Sequence, residues 1–467
     1  MAEPRTEDSK PRFNKAKHIA YWRRCHETFL PSAYTSNDST RLTFAFFIVA
    51  ALDLLRVPLT KEHRAATRAW VLGLQHPDGG FCGSPTHAMP AVAGDAGRGT
   101  ANLAATFFAL LLLGAAAETE DEQRTAFAGV DRRKLLRWLR RLQRRDGSFG
   151  QVLWEGEPLG GRDMRHSYLA AGVRWMLKGG GAREEEEDVD VEKMVEHIRG
   201  VQTYDGGISE SSQQESHAGY AYCAVAALAL LDRAASTTCP ALQQGIADRG
   251  GLLKWLAHRQ FVYRSADEER QDESEVNYVE AALGEMSLDE GCARPHRHVG
   301  FNGRWNKKAD TCYAWWLLGS PGLFDAEPTR NYLLEVTQHG IGGFSKNVGG
   351  PPDLYHSYLG LTALAMMGQD ELREVDVGLC CSRETVDKIE RARDGLLEAV
   401  ARGGDGDGDG KSKSQFYDPC QEAAKRSYNC LFRNNGDKTM CGEYFQAYRD
   451  CKEAWTKQRK KETGSFW

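Results

Sequence analysis

The sequence has no apolar run long enough to cross a bilayer. The longest candidate, FFALLLLGAAA at residues 107–117, falls short of the roughly twenty residues a spanning helix needs and reads as a buried helix. The N-terminal stretch MAEPRTEDSKPRFNKAKH has no apolar core and carries acidic residues, so neither a secretory signal nor a presequence is expected. No charge of one sign prevails: 60 Lys and Arg stand against 65 Asp and Glu, a net charge of −5, and nothing global points to nucleic acid. The first 400 residues also lack any spacing pattern among their eight cysteines, which fits reduced thiols in a cytosolic setting.

What is present is length and repetition. The 467 residues are enough for a large core and more than one domain. Leu74-Gln75-His-Pro-Asp78-Gly79-Gly80-Phe81 recurs as Leu142-Gln143-Arg-Arg-Asp146-Gly147-Ser-Phe149 and as Val201-Gln202-Thr-Tyr-Asp205-Gly206-Gly207-Ile208. A shortened copy ends on Gly342-Gly343-Phe344. Another is split, with Arg259-Gln260 separated from Val299-Gly300-Phe301 by a charged insertion, Ser265 to His298. In each copy a helix should end near the Gln, the glycines permit a tight turn, and an apolar helix follows. Hairpins of this kind cannot bury an apolar face alone and must stack.

The repeats therefore predict an all-α fold, an α/α toroid of six hairpins. Its inner helices would all start at one mouth, directly after the glycine turns. Residues 1–20 are expected to be disordered and 21–400 to form the toroid. A Gly/Asp linker is expected over 401–415, and a separate helical segment over 416–467.

Residues 300–316, GFNGRWNKKADTCYAWW, gather unusual chemistry at one of these helix starts. Arg304, Lys307 and Lys308 suit a polyanion such as a diphosphate. Asp310-x-Cys312 suits a borderline-soft metal such as zinc, with His356 in PPDLYHSYLGL as the best third ligand. Three protein ligands leave a fourth position open, as in a catalytic site. An isolated Asp-x-Cys is common, and most cysteines in such a chain are small buried apolar groups. The toroid tips the balance, since it brings His217, Arg304, Lys307, Asp310, Cys312 and His356 to neighbouring helix starts.

The last four cysteines are regular. Nine residues separate Cys420 from Cys430, and nine separate Cys441 from Cys451. Ten steps are close to three helical turns, so each pair lies on one helix face. Two antiparallel helices would pair Cys420 with Cys451 and Cys430 with Cys441. Zinc is the competing reading, but its cysteine pairs sit much closer in sequence. The linker's Asp405-x-Asp407-x-Asp409-Gly410 opens like a calcium loop, yet its twelfth position is Phe416 and not Glu, which rejects an EF-hand.

With these motifs, residues 20–375 resemble the β subunit of a protein prenyltransferase, most similar to the type I geranylgeranyl class. The resemblance implies zinc on Asp310, Cys312 and His356, and catalytic roles for these residues with Lys346 and Tyr313. It places diphosphate contacts on His217, Arg304, Lys307 and Tyr313, and lipid contacts on Thr43, Phe47, Phe107, Arg165, Tyr168 and Trp316. Thr43 stands where farnesyl enzymes carry a bulky Trp, and a small residue leaves room for twenty carbons. Lys346 stands where they carry a magnesium-holding Asp, which implies no magnesium requirement. Phe107 replaces the family's lipid-facing Tyr, and Asn102 and His166 depart from the pattern beside the substrate's last residue. A prenyltransferase α subunit, geranylgeranyl diphosphate and CaaX proteins such as small GTPases are the implied partners, in the cytoplasm.

The tail resembles twin Cx9C proteins of the mitochondrial intermembrane space, in particular small cytochrome c oxidase assembly factors. That compartment is oxidising, whereas the toroid's chemistry is cytosolic. A natural fusion or two neighbouring genes read as one frame would both produce the clash, and the Gly/Asp linker favours the second. Three rivals are weighed: a farnesyltransferase β subunit, a terpene cyclase, and a mitochondrial assembly factor. The cyclase would need an Asp-x-Asp-Asp motif, and the sequence has none.

Overall fold

Each repeat begins with a helix that a polar side chain caps, and in every repeat after the first that helix ends in a turn that glycine permits. The computed structural model describes residues 12–84, 99–178, 188–233, 240–264, 297–318, 324–402, 426, 430 and 441–462. Outer and inner helices alternate along the chain. They are α1 (Lys15–Glu27) and α2 (Arg41–Leu54), α3 (Lys61–Leu72) and α4 (Leu103–Ala115), α5 (Arg132–Arg141) and α6 (Met164–Lys178), α7 (Val191–Gly200) and α8 (Ala218–Asp232), α9 (Arg249–Ala257) and α10 (Thr311–Leu318). In the sixth pair a short helix, Ala326–Asn331, runs into a π-helical turn, Tyr332–Thr337, before α11 (Leu354–Met366). The inner helices pack in the order α2, α4, α6, α8, α10, α11, and α11 packs back on α2, which closes the ring. This is the six-hairpin α/α toroid that the repeats predict.

The glycine turns are alike in detail. Gln75 bridges Phe81, Gln143 bridges Phe149, Gln202 bridges Ile208 and Gln338 bridges Phe344. The split copy closes the same way, with Gln260 opposite Phe301 in a short antiparallel ribbon. Gly147 shows why glycine is needed: its φ is +86°, and a Cβ there would lie 2.0 Å from the Lys193 carbonyl oxygen of the neighbouring outer helix.

The glutamine has a second task. The Gln143 amide donates to the Asp190 carbonyl (2.8 Å), while its oxygen accepts from the Asp190 N–H (2.7 Å). Asp190 is the N-cap of α7. Gln202 does the same for Asp248, the N-cap of α9. Gln338 accepts from the N–H of Asn14, the N-cap of α1, so the same device joins the last repeat to the first. Each glutamine thus satisfies backbone groups that a helix start leaves over.

Beyond α11 the chain turns into one end of the ring. Tyr222 of α8 donates to the Val377 carbonyl and Tyr358 of α11 to the Cys380 carbonyl, both at 2.6 Å. A long helix, α12 (Arg383–Arg402), then packs on α4 and α6.

One expectation needs correction. Residues 1–20 are not disordered throughout, because α1 starts at Lys15. Asn14 caps it by accepting from the Lys17 N–H, and His18 is fully buried, with its ring accepting from the Gly343 N–H. Thr28–Thr40, with Pro31 and two 3-10 turns, separates α1 from α2. Cys420, the 401–415 linker beyond Arg402 and nearly all of the 265–298 insertion lie outside the described residues.

The chain divides into two compact units, Met1–Arg402 and Gly403–Trp467. In the second, Cys430 and Cys441 form a disulfide with Cα atoms 5.7 Å apart, and Cys451 sits on α13 (Gly442–Glu462).

Candidate functional site

Every inner helix but α2 begins with a residue whose side chain accepts from its own first-turn N–H groups. Asp310 accepts from the Cys312 N–H at 2.9 Å, and Asp353 accepts from the His356 N–H at 2.9 Å. These two caps bring the metal-type residues together. Donor atoms of Asp310, Cys312 and His356 all lie within 4.8 Å of one another, with Asp310 and Cys312 buried. His356 Nε2 is 3.1 Å from Asp310 Oδ1, and its Nδ1 is 2.6 Å from Asp353 Oδ2. A carboxylate behind Nδ1 fixes the ring and directs Nε2 into the cluster, the usual support for a metal-ligating histidine. A hard–soft O, S, N donor set on this support fits a zinc-type ion.

The residue types also set the charges. Burial pulls the His356 pKa down, but its hydrogen bonds to Asp310 and Asp353 outweigh this and hold it up at about 9. Burial, then the Asp310 carboxylate, push the Cys312 thiol well up. Burial opposes ionisation of Asp310, yet the hydrogen bond and charge of His356 hold its carboxyl below the usual range. The metal-free site therefore carries protons on both His356 and Cys312 at neutral pH, and a metal ion must displace them. We expect apparent zinc affinity to rise by about two decades per pH unit between roughly pH 6 and 8, because two protons leave per ion. Competition against a chromogenic chelator at several pH values reads this slope.

The neighbouring cations come from two loops. Lys346 Nζ lies 3.7 Å from Asp310 Oδ2, and its loop is tied down where the Thr311 N–H donates to the Lys346 carbonyl. Arg304 is half-exposed and pairs with Glu215 at 3.2 Å, while Lys307 and Lys308 point to solvent. The Gly303 carbonyl accepts from the Ala218 N–H at 3.0 Å, which fastens this loop to the start of α8. A Cβ on Gly303 would lie 2.0 Å from the Tyr313 ring, so only glycine fits there.

His217, the N-cap of α8, accepts the Gly219 N–H on Nδ1 at 3.0 Å. Burial, then Arg304 and Arg165, lower its pKa to about 4, so it is neutral with its proton on Nε2. That proton faces the Tyr313 hydroxyl oxygen 3.1 Å away, which leaves the tyrosine O–H free to donate elsewhere. A neutral His217 is thus placed to orient the Tyr313 hydroxyl.

Below the cluster, aromatic rings line the ring of inner helices. Phe107 touches Phe108 (5.2 Å between centroids) and Tyr168 (5.3 Å), Tyr168 touches Tyr222 (5.8 Å), and Tyr222 touches Trp316 (4.7 Å). Phe47 meets Phe108 at 5.7 Å and Tyr355 at 6.3 Å. Thr43 is half-buried in the first turn of α2, one turn before Phe47. Arg165 sits apart from this chain of rings. Its side chain is 63% exposed and ion-paired with Asp163 at 2.7 Å, which places it at the rim and not among the apolar rings, since a guanidinium keeps its solvent. Asn102 caps α4 by accepting from the Ala105 N–H, and His166 is buried.

Sequence reasoning missed Asp353, Glu215, Phe108, Tyr222 and Tyr355. Asp353 had a signal, since an Asp three residues before His356 at a helix start is an N-cap candidate. The aromatic residues had none beyond the apolar pattern.

A profile of the prenyltransferase alpha-alpha toroid domain matches residues 13–381. The chain belongs to this prenyltransferase family. It is 31% identical over 379 residues to the geranylgeranyl transferase type-1 β subunit of Arabidopsis thaliana, covering 77% of this chain and 86% of the relative. It is also 28% identical over 378 residues to the protein farnesyltransferase β subunit of Schizosaccharomyces pombe, covering 76% of this chain and 78% of that one. Among solved structures, the Candida albicans protein geranylgeranyltransferase-I complexed with GGPP matches with a TM-score of 0.63 and 24% identity, over 82% of this chain and 99% of that chain. At that identity the likeness bears on the fold. A fourth likeness is short: the mitochondrial cytochrome c oxidase assembly factor of Gibberella zeae is 55% identical over 87 residues, 18% of this chain and 92% of the relative. No described helix of this prenyltransferase is long and apolar enough to cross a membrane.

Proposed function

We propose that the toroid is the catalytic β subunit of a zinc-dependent protein geranylgeranyltransferase type I. The observation that carries the reading is the Asp310, Cys312 and His356 cluster, with the Lys346 amine 3.7 Å from Asp310. Asp310, Cys312 and His356 would hold the ion. When bound, zinc would lower the pKa of a substrate cysteine thiol. In the transfer, the substrate sulfur bonds to C1 of the prenyl group, the C1–O bond breaks, diphosphate leaves and the thiol proton passes to solvent.

Arg304, Lys307 and Lys346 oppose the charge that grows on the leaving diphosphate, and Tyr313, oriented by His217, donates its O–H to it. Lys346 supplies a fixed cation beside the reaction, so added magnesium is not required. The aromatic belt of Phe47, Phe107, Tyr168 and Trp316 holds the isoprenoid by apolar burial, and Thr43 leaves the space for its last unit. The partner is a prenyltransferase α subunit, the acceptors are Cys-a-a-Leu proteins, and the setting is the cytoplasm.

The rival is a farnesyltransferase β subunit, which the similarity to the Schizosaccharomyces pombe protein keeps in view. Competition between fifteen- and twenty-carbon donors, with an α/β pair and a Cys-a-a-Leu peptide, tests the choice. We expect the twenty-carbon product to dominate, and a preference for the shorter donor would refute the assignment.

A second reading concerns the tail alone. The short likeness to a mitochondrial assembly factor spans 18% of the chain, and the Cys430–Cys441 disulfide agrees with an oxidised hairpin. Pairing of Cys420 with Cys451 completes that proposal. We hold that two neighbouring reading frames are joined at the linker. Recovery of the peptide Gly403 to Lys411 from native protein would refute the joining.

A further inference from the structure

Arg259, the second residue after α9, is fully buried, and none of its three guanidinium nitrogens has a hydrogen-bond partner among the described residues. An arginine in that state is costly unless something else compensates its charge. Here two indoles do so, together with the nearby Asp205 and Glu215 carboxylates. The guanidinium carbon lies 3.9 Å from the ring centre of Trp305 and 4.7 Å from that of Trp255, a cation held between two π faces.

One carboxylate fixes both indoles. Asp205 Oδ2 accepts from Trp255 Nε1 at 3.0 Å and from Trp305 Nε1 at 3.2 Å. Its Oδ1 accepts from Thr203 and Ser216, each at 2.6 Å, and from the Gly207 N–H. Asp205 itself sits in the third glycine turn and has no freedom left. The assembly thus ties a glycine turn, the end of an outer helix and the 303–308 loop to one another.

Trp305 is nonetheless 46% exposed, so its inner face and its N–H are what hold it. It lies between Arg304 and Lys307, and Asn306 takes a left-handed turn (φ +56°) immediately after it. Gly303, two residues earlier, is fastened to the start of α8 and closed against Tyr313. Arg304 is therefore pinned on both sides. Its own ion pair with Glu215 is between exposed groups and contributes little to its position.

We infer that Trp305, seated on Arg259 and tethered to Asp205, is a positioning clamp that holds Arg304 and Lys307 in place for the prenyl diphosphate. The inference rests on the prenyl-transfer reading of the site. Trp305 is not a catalytic residue; it sets in advance the geometry of a loop that would otherwise be ordered at the expense of binding energy. The bland alternative is that Trp305 only covers Arg259 as part of the packing.

The test uses the full chain with its α subunit and measures the dissociation constant of geranylgeranyl diphosphate, the peptide KM and kcat. Trp305→Ala is expected to raise the donor dissociation constant about tenfold, the scale of a partly desolvated cation–π contact, and to leave the peptide KM within about twofold. Trp305→Leu keeps an apolar cover without a π face or N–H. It should give the same donor-specific loss, and it serves if the alanine variant does not fold. Trp305→Phe restores the π face and should recover most of the affinity. Equal weakening of donor and peptide, or no change in the donor while Arg304→Ala weakens it, overturns the clamp and leaves the prenyl-transfer reading standing. No effect from Arg304→Ala on donor binding overturns the diphosphate reading of the loop, and the clamp with it.

Discussion

Cys312→Ala is expected to leave an α/β complex that still folds, binds no zinc and transfers prenyl groups at least about a thousandfold more slowly. The magnitude follows from losing several kcal/mol of charge stabilisation at the reacting sulfur, with each 1.4 kcal/mol worth about tenfold in rate. The fold should survive because Cys312 contributes one small buried side chain to a large closed ring. His356→Ala should behave alike. Asp353→Asn is the informative intermediate. It keeps the cap on α11 but weakens the carboxylate that holds His356 Nδ1 at 2.6 Å. Loss of such a support costs about 10- to 100-fold in metal affinity or activity. Metal analysis by mass spectrometry beside single-turnover rates checks all three. Full activity in Cys312→Ala without bound zinc would refute the assignment of the cluster.

Thr43→Trp is expected to reverse donor choice. Thr43 is half-buried in the first turn of α2, and Phe47 follows one turn later in the aromatic belt. An indole in place of the threonine would fill the space assigned to the fourth isoprene unit. The ratio of kcat/KM for the twenty-carbon over the fifteen-carbon donor should fall by about two orders of magnitude, the range open to discrimination by pocket size. The fifteen-carbon donor should itself be used nearly as well as before. An unchanged ratio would show that chain length is measured elsewhere.

Much of the toroid was legible because its code is local. A Gln–Gly turn closing on an aromatic or aliphatic residue recurs at every hairpin after the first, and even the copy split by the insertion closes with Gln260 opposite Phe301. The glutamine's bond to the next helix cap was not legible, since it joins residues about 47 apart. The meeting of Asp310, Cys312 and His356 was readable once the repeats put helix starts at one mouth. The neutral state of His217 was not, because it depends on burial and on a backbone N–H at Nδ1. The rim position of Arg165 likewise depends on Asp163, whose partnership no motif announces. The Trp305–Arg259–Trp255 stack assembles three segments, and no pattern of spacing links them.

The central claim is zinc-dependent transfer of a twenty-carbon chain to a cysteine thiol. Its most direct measurement is the mass of a Cys-a-a-Leu peptide after incubation with the full chain, an α subunit and geranylgeranyl diphosphate, before and after chelation. One geranylgeranyl group is expected on the cysteine sulfur, lost on chelation and restored by zinc without added magnesium. A peptide that stays unmodified with zinc present, or one modified equally well after chelation, would contradict it.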